Sequence, residues 1–279
     1  GCAMAARLSE DADKRVVLLE AGGDNERFWI RTPAGLHQVT GNQESNWMYF
    51  TEPDASQKDR RVFWSSGRGL GGGSAINGMV YIRGGRHDYD GWASELGCTG
   101  WSWNEVLPYF RKSEAHDGPE SQTHGKLGLL GVEHLRAIHP MTGDFVSTCA
   151  SLGLREVEDY CGGDIDGVYV NLATQRGGWR ASAAEAFLKP AMNRPNLKVV
   201  TGVFVDRVLF EGHRAVGVRY VQDGVAREQR ARAEVILSTG TMPSPLILMR
   251  SGIGPGAQLR EHGIEVLADR AEVGRNLHE

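Results

Sequence analysis

The stretch Gly67-Arg68-Gly69-Leu70-Gly71-Gly72-Gly73-Ser74-Ala75-Ile76-Asn77-Gly78-Met79-Val80 decides how this chain is interpreted, because six of its fourteen residues are glycine. Glycine is favoured where the main chain takes a positive φ or lies very close to another group. Successive amides in such a turn can bind an anion, and Arg68 adds a rigid fork of positive charge. Ser74 and Asn77 would offer side-chain donors to the same ligand. The stretch therefore predicts a turn that faces a cofactor.

Two other interpretations of the stretch are disfavoured. A flexible linker would not carry the apolar residues Leu70, Ile76, Met79 and Val80. Residues 67–72 also match G-x-G-x-x-G, but the glycines that follow from Gly78 onward leave no room for the helix that a dinucleotide fingerprint requires. We therefore expect a different kind of ligand-facing turn.

The start of the chain predicts half of a nucleotide-binding unit. Residues 1–13 form a small-residue helix pattern, and Arg15-Val16-Val17-Leu18-Leu19-Glu20 is an apolar run typical of a strand buried on both faces. In dinucleotide folds, an acidic residue about 20 positions after the last fingerprint glycine binds the ribose. Gly1 and Glu20 have that separation. We interpret Gly1 as that last glycine and expect the chain to be an internal piece of a longer protein.

The central part of the chain is predicted to be mixed. Ser102-Trp103-Asn104-Glu105 is a capping box, which predicts a helix to about Ser113 with Pro108 inside it. Further helices are expected over 141–152 and 179–188, and residues 114–140 are expected to be loop.

The last third of the chain predicts strands. A strand at 197–201 precedes three alternating runs joined by Glu211-Gly212 and Asp223-Gly224, which indicates an antiparallel meander. The predicted elements are the meander runs 203–210, 214–221 and 226–232, a buried strand at 234–240 and a short helix at 245–250. The fold class is thus α/β with α+β elements: a parallel sheet plus an antiparallel meander, the plan of FAD-binding domains of the glutathione-reductase type.

Composition excludes several classes of partner. The net charge is −4 without a basic run, so nucleic acid and anionic membranes are poor partners. No apolar run is long enough to span a bilayer. The four cysteines lack C-x-x-C spacing and are interpreted as reduced, buried thiols of an intracellular protein. His134 and His139 are the nearest approach to a histidine cluster, and no metal site is predicted.

Two long motifs resemble those of the glucose–methanol–choline (GMC) oxidoreductases. Residues 67–90 resemble the first signature of that family, and Gly240-Thr241-x-x-Ser244-Pro245-x-Ile247-Leu248-x-x-Ser251-Gly252-Ile253-Gly254 resembles the second. The continuation Tyr81-Ile82-Arg83-Gly84 is most similar to the choline-dehydrogenase-like, alcohol dehydrogenase branch. The resemblance covers essentially the whole chain.

The resemblance implies an FAD site. Glu20 would bind the ribose, Val205 would meet the adenine, and Gly240 with Thr241 would approach the flavin. The residues that it implies as cofactor-binding are Gly1, Glu20, Ala21, Trp47, Arg68, Gly72, Ser74, Asn77, Gly78, Met79, Val80, Val205, Gly240 and Thr241. Some members attach FAD through a histidine just before the motif asparagine, where this chain has Ile76, so non-covalent FAD is expected.

The resemblance also implies an activity and its limits. It implies oxidation of a primary alcohol, such as choline or an aliphatic or aromatic alcohol, to the aldehyde by hydride transfer to flavin N5. The general base of the family would lie outside this chain, which alone would be inactive, so no catalytic residue is assigned. The implied division is an FAD-binding part at 1–136, a substrate-cap segment at 137–177 and a second FAD-binding part at 178–279.

The sequence leaves other functions open. A hydroxynitrile lyase with the same fold and a non-catalytic FAD-binding paralogue are the alternatives, whereas a plain NAD(P)-binding domain is disfavoured by the meander and both motifs. A cytoplasmic location is expected, with membrane association through the electron acceptor as the alternative. The acceptor, the choice of oxidase or dehydrogenase and the oligomeric state stay open.

Overall fold

The computed structural model describes residues 1–277 of the 279-residue chain. These residues form two compact units. The first unit comprises Gly1–Asn25, Thr40–Gly73 and Pro190 onward, and the second comprises Glu26–Val39 and Ser74–Lys189.

Eight α-helices are present in the described part of the chain, together with several short 3₁₀ turns and one π-helical turn at Ala184–Leu188. The helices are α1 Cys2–Leu8, α2 Phe28–Arg31, α3 Leu36–Thr40, α4 Arg86–Ser94, α5 Trp103–Ser113, α6 Pro140–Ser151, α7 Pro243–Arg250 and α8 Gly256–Glu261.

Fifteen strands are present among the same residues, most of them short. They are β1 Val16–Leu19, β2 Tyr49–Phe50, β3 Phe63–Trp64, β4 Val80–Tyr81, β5 Glu114–His116, β6 Leu130–Val132, β7 Leu172–Ala173, β8 Gln175–Arg176, β9 Trp179–Arg180, β10 Leu197–Val200, β11 Phe204–Glu211, β12 Arg214–Gln222, β13 Val225–Arg230, β14 Ile253–Gly254 and β15 Ala268–Asp269.

A parallel pair, β1 and β10, carries the start of the first unit. Val16 pairs with Leu197 and Leu19 with Val200, so both strands end at the same edge. The ladder continues one step further, because Glu20 N donates to Val200 O at 2.9 Å. The predicted parallel strands at 15–20 and 197–201 are therefore present, although β1 is half-buried and not covered on both faces.

The predicted meander is also present, as the antiparallel sheet β11-β12-β13. Its turns lie at Gly212 and at Asp223-Gly224, all with positive φ. Val208 and Val218 of the sheet pack against Ile247 of α7 in a buried cluster. This cluster is the apolar core beside the meander.

The second unit has its own core. Its main cluster contains Tyr81, Val132, Tyr160, Cys161 and Leu172. The hydroxyl of Tyr160 donates to Tyr81 O and accepts from Leu172 N at 2.8 Å. The phenol thereby joins β4 to β7, which pair with each other.

The predicted helices α5, α6 and α7 are present with boundaries within two residues of expectation. The capping box of α5 forms as its sequence indicates, because Ser102 N donates to Glu105 Oε2 at 3.0 Å. The first helix is shorter than predicted and ends at Leu8.

Three structural predictions were wrong. Residues 114–140 contain the parallel pair β5–β6. β5 carries the polar residues Glu114 and His116, and β6 is only three residues long, so neither gives an apolar run of strand length. The helix predicted at 179–188 begins as β9, because Gly177 and Gly178 take positive φ and turn the chain back onto β8. Residues 234–240 form no strand, since no described residue pairs with them; Val235 and Leu237 instead pack beside the meander core.

The cysteine prediction was partly wrong. All four thiols are free, and Cys2 and Cys161 are buried. Cys98 is exposed and Cys149 is half-buried, because both lie at or near helix ends on the surface of the second unit.

Candidate functional site

The carboxylate of Glu20 organises the glycine-rich stretch of the first unit. It lies directly after β1, and its Oε1 accepts hydrogen bonds from Gly22 N at 2.8 Å and from Gly69 N at 2.9 Å. Glu20 and Gly69 are 49 positions apart in sequence. One carboxylate oxygen therefore holds the strand-end turn and the glycine-rich stretch together.

The two turns are too close for any side chain between them. A Cβ on Gly22 would lie 2.4 Å from Gly69 N, well inside van der Waals contact. Leu70 N also donates to Gly23 O at 2.9 Å. Glycine is required at Gly22 because the backbones touch there.

A cavity of about 340 Å³ opens where β1 and β10 end, and it is lined by Ala21, Gly22, Gly23, Glu44, Arg68, Thr201 and Gly202. Five of these, Gly22, Gly23, Glu44, Thr201 and Gly202, were not among the predicted cofactor-binding residues. The signal that could have identified Thr201 and Gly202 is their position at the carboxyl end of the predicted strand 197–201, since ligands bind at the carboxyl ends of parallel strands.

Arg68 gives this cavity its cationic side chain. The guanidinium lies over the ring of Trp47, with Cζ 5.1 Å from the ring centroid. Its Nε is buried and has no hydrogen-bond partner among the described residues. Buried polar atoms are normally satisfied, so this nitrogen indicates a missing acceptor. An arginine with an unsatisfied nitrogen beside a fixed carboxylate suits a ligand with phosphate and hydroxyl groups.

The second half of the stretch, in the second unit, is fixed by Arg180, which the sequence did not identify. Arg180 is only 3% exposed. Its Nη1 donates to Asn77 O at 2.7 Å, to Asn77 Oδ1 at 2.9 Å and to Ser74 O at 3.2 Å. Its Nε donates to Ile30 O at 2.9 Å. Burial lowers the pKa of Arg180 to about 10.

Local bonds define the conformation of this segment. Asn77 Oδ1 accepts from Met79 N at 3.1 Å, and Met79 takes a φ of +61°. Non-glycine residues with positive φ are uncommon and cluster at ligand sites. Ser74 Oγ accepts from Ala183 N at 2.8 Å. Asn77, Gly78 and Val80 are exposed.

The remaining predicted residues occupy varied positions. Gly1 caps α1, where a Cβ would lie 3.5 Å from Leu18 Cδ1, an ordinary contact distance. Val205 packs beside the meander core. Gly240 and Thr241 are exposed just before α7 and do not line the cavity at the end of β1. The predicted residues that the first unit brings to one cavity are thus Ala21 and Arg68, with Glu20 holding its wall.

A second, larger cavity does not involve these residues. It measures about 440 Å³ and lies in the second unit, lined by Arg86, His87, Asp90, Gly162, Gly163 and Asp164. Arg86, His87 and Asp90 belong to the last part of the 67–90 motif, and none of the residues predicted to bind the cofactor lines this cavity.

An acidic side chain at the end of a parallel strand, glycine backbones in contact and a cavity at the carboxyl ends of two parallel strands are features of dinucleotide-binding α/β folds. The chain belongs to the GMC oxidoreductase family, whose sequence model matches residues 16–279. The resemblance seen in the two motifs is therefore confirmed, as is the α/β class with a parallel sheet and a meander.

Known proteins similar to this chain agree with that assignment. The oxygen-dependent choline dehydrogenase of Rhizobium rhizogenes is 41% identical over 279 residues, which is all of this chain and 50% of that protein. The crystal structure of pyridoxine 4-oxidase from Mesorbium loti superimposes with a TM-score of 0.92 at 37% identity, over 98% of this chain and 53% of that one. An FAD-dependent oxidoreductase from Chaetomium thermophilum gives a TM-score of 0.90 at 31% identity, over 96% and 48%.

The chain spans about half the length of the relatives that it matches. Among residues 1–277, the helices are all too short or too polar to cross a bilayer.

Proposed function

We propose that the protein containing this chain binds FAD and oxidises an alcohol to an aldehyde. The observation that carries the proposal is the cavity at the ends of β1 and β10, with Glu20 bonded to two glycine amides and Arg68 beside it. Family membership and the names of the similar proteins support an alcohol as substrate. Choline or another primary alcohol is the substrate class that we propose.

Residues of the first unit would hold the adenosine end of the cofactor. Glu20 has one oxygen occupied by Gly22 and Gly69, and its second oxygen is proposed to accept a ribose hydroxyl. Arg68 would supply the donor that a pyrophosphate oxygen requires. Gly1, Ala21, Trp47, Gly72, Val205, Gly240 and Thr241 are proposed as further cofactor-binding residues on the strength of the family resemblance.

The segment after Gly73 is proposed to serve the same cofactor. Ser74, Asn77, Gly78, Met79 and Val80 lie in a turn whose shape is fixed by internal hydrogen bonds. A preorganised turn loses little entropy when it binds a ligand. When bound, FAD would supply the hydride acceptor for the alcohol carbon. No residue of this chain is proposed as the base that takes the hydroxyl proton.

We further propose that FAD is held without a covalent bond. Ile76 occupies the position that carries the attaching histidine in some members, and it is buried with Ile30, Val39 and Ala75. An aliphatic side chain offers no nucleophile. Acid precipitation of the full protein should release the flavin into the supernatant, and flavin retained in the pellet would overturn this point.

The test of the FAD site is a pair of substitutions at Glu20. Glu20→Gln keeps an oxygen for the amides of Gly22 and Gly69 but removes the charge and the second acceptor. Losing one charge-assisted hydrogen bond costs about 1.5–3 kcal/mol, or about 10- to 100-fold in FAD affinity. Glu20→Ala removes the amide anchor as well, so it should also lower the melting temperature.

The measurement is FAD affinity from fluorescence titration of the deflavinated full protein. Glu52→Gln, at an exposed carboxylate of the first unit, is the matched control and should leave the affinity unchanged. Equal affinity in wild type and Glu20→Gln, with normal folding, would refute the ribose role of Glu20.

The two alternative functions, hydroxynitrile lyase and non-catalytic paralogue, differ from alcohol oxidation in one measurable property, the reduction of the flavin by an alcohol. Anaerobic mixing of the holoprotein with choline or other primary alcohols should bleach the flavin absorbance if the protein is an alcohol oxidoreductase. A hydroxynitrile lyase or a non-catalytic paralogue would leave the flavin oxidised with every alcohol. The small-molecule alcohol is the proposed partner, and a cytoplasmic location remains a prediction.

A further inference from the structure

Three histidines of the second unit meet beside the parallel pair β5–β6. The rings of His116 and His124 are stacked, with centroids 4.0 Å apart and planes inclined by 16°. The ring of His134 lies 5.4 Å from that of His116. None of these residues belongs to the nucleotide site proposed above, and the sequence predicted no histidine cluster.

His124 has partners for both ring nitrogens. Its Nδ1 lies 3.2 Å from Glu114 Oε1, and its Nε2 lies 3.2 Å from Asp159 Oδ1. Burial alone would lower its pKa, but these two hydrogen bonds outweigh burial and raise the pKa of His124 to about 9. His124 is therefore explained by its carboxylate partners.

His116 lacks such an explanation. It is only 8% exposed, and neither of its ring nitrogens has a hydrogen-bond partner among the described residues. A Cβ on Gly118 would lie 2.6 Å from His116 Cε1, so the backbone of Gly118 lies close to the edge of the ring between its two nitrogens. The other nitrogen, Nε2, lies 3.7 Å from Asp117 Oδ1, beyond hydrogen-bonding distance. A buried imidazole with both nitrogens unsatisfied calls for a partner that the described residues do not supply, such as water or a metal ion.

Two further ligand atoms converge on the same point. Asp117 follows β5 and His134 lies two residues after β6, so both occupy the carboxyl ends of adjacent parallel strands. Asp117 Oδ2 accepts from His134 N at 3.0 Å, which fixes the carboxylate. Asp117 Oδ1 then lies 2.7 Å from His134 Nδ1. One ligand atom from each of His116, Asp117 and His134 lies within 4.8 Å of the others.

We propose that His116, Asp117 and His134 bind a divalent first-row metal ion, with Zn²⁺ as the ion best suited to two imidazoles and one carboxylate. Zinc bonds of about 2.0–2.2 Å in a tetrahedron separate neighbouring ligand atoms by about 3.4 Å. The two separations at Asp117 Oδ1, 2.7 Å and 3.7 Å, lie on either side of that value. Rotation of the exposed His134 side chain would bring the three ligand atoms to coordination distance from a single ion.

The residues around the proposed site leave it open to solvent and supply negative charge to balance a cation. The side chains of His134 and Asp117 are 65% and 37% exposed, so the ion can reach the site and keep water as its fourth ligand. Glu114 and Asp159 flank the stacked His124, and Arg83 lies 3.0 Å from Glu114. With Asp117, three carboxylates thus lie in or beside the proposed site.

The experiment is calorimetric titration of ZnCl₂ into the full protein after treatment with EDTA. One Zn²⁺ per chain is expected, and His134→Ala should weaken binding at least about tenfold because a ligand is lost. His134 is exposed, so this variant should fold. His87→Ala removes a histidine from another exposed histidine–aspartate pair, His87–Asp88, and should leave the affinity unchanged.

Asp117→Asn provides a second variant that keeps the side-chain shape, and it should also weaken Zn²⁺ binding. Circular dichroism of each variant confirms that it is folded. Absence of Zn²⁺ binding by the wild type, or equal affinity in wild type and His134→Ala, would overturn the proposal. Neither outcome bears on FAD, which is measured by its own absorbance.

Discussion

Replacing Arg180 tests whether one buried cation fixes the second half of the glycine-rich stretch. Arg180→Met keeps a long apolar side chain but removes four hydrogen bonds to Ile30, Ser74 and Asn77. The three main-chain carbonyls would then lose the donor that they share. Arg180→Lys keeps the charge, but a lysine lacks the planar fork that reaches Ile30 and Asn77 together.

The magnitude follows from two opposing contributions. Burial lowers the pKa of Arg180 to about 10, well below the ordinary value of a guanidinium, which corresponds to a cost of about 3 kcal/mol for keeping the charge inside the protein. Hydrogen bonds to charged groups contribute about 1.5 kcal/mol each at the low end, so the four bonds together supply about 6 kcal/mol. Arg180→Met should therefore lower the free energy of unfolding by about 3 kcal/mol, and Arg180→Lys by less.

The assay is urea unfolding of the full protein, followed by tryptophan fluorescence. Arg176→Met is the matched control, because Arg176 is exposed and donates a single hydrogen bond, to Leu129 O. It should lower the unfolding free energy by less than about 1 kcal/mol. Arg180→Met should also retain less FAD. An effect of Arg180→Met no larger than that of the control would refute the reasoning.

Three further substitutions have defined outcomes. Gly22→Ala should abolish FAD binding and lower the melting temperature, because its Cβ would lie 2.4 Å from Gly69 N. Arg83→Met should lower the unfolding free energy by about 3–5 kcal/mol in urea, since it breaks an ion pair whose two side chains are both fully buried, Arg83 and Glu114. Ser102→Ala should cost only about 1 kcal/mol in the same assay and leave FAD content unchanged, because it removes a helix cap at the surface.

Elements with strong local signals were predicted correctly from the sequence. The apolar runs at β1 and β10, the alternating runs of the meander and the Ser102 capping box each specify their structure within a few residues. The ribose-binding role of Glu20 was inferred from its position, at the end of a strand and a fixed distance after Gly1, and it stays a prediction. The structure shows its carboxylate bonded to the amides of Gly22 and Gly69.

Features that depend on distant partners could not be predicted. Arg180 meets Asn77 and Ser74 more than 100 positions earlier in the chain, and nothing around it in the sequence indicates burial. The strand β5 carries the Glu114 carboxylate inward, where the amide of Gly125, the ring of His124 and the Arg83 guanidinium face it, and no local pattern in the sequence indicates these partners. The strand predicted at 234–240 was wrong for a different reason. Its apolar residues indicate a strand, but no strand among the described residues pairs with it.

The parallel pairing of β1 with β10 has a consequence for how the protein folds. It joins residues 16 and 197, whereas the first meander hairpin closes between residues 211 and 214. Loop-closure entropy makes the longer connection about 3–4 kcal/mol more costly to form. The meander should therefore form early and the β1–β10 pair late. Because the cavity lies where these two strands end, a bound nucleotide would stabilise the late pairing of β1 with β10. In hydrogen exchange, removing it should increase exchange at β1 and β10 while the amides of β12 stay protected.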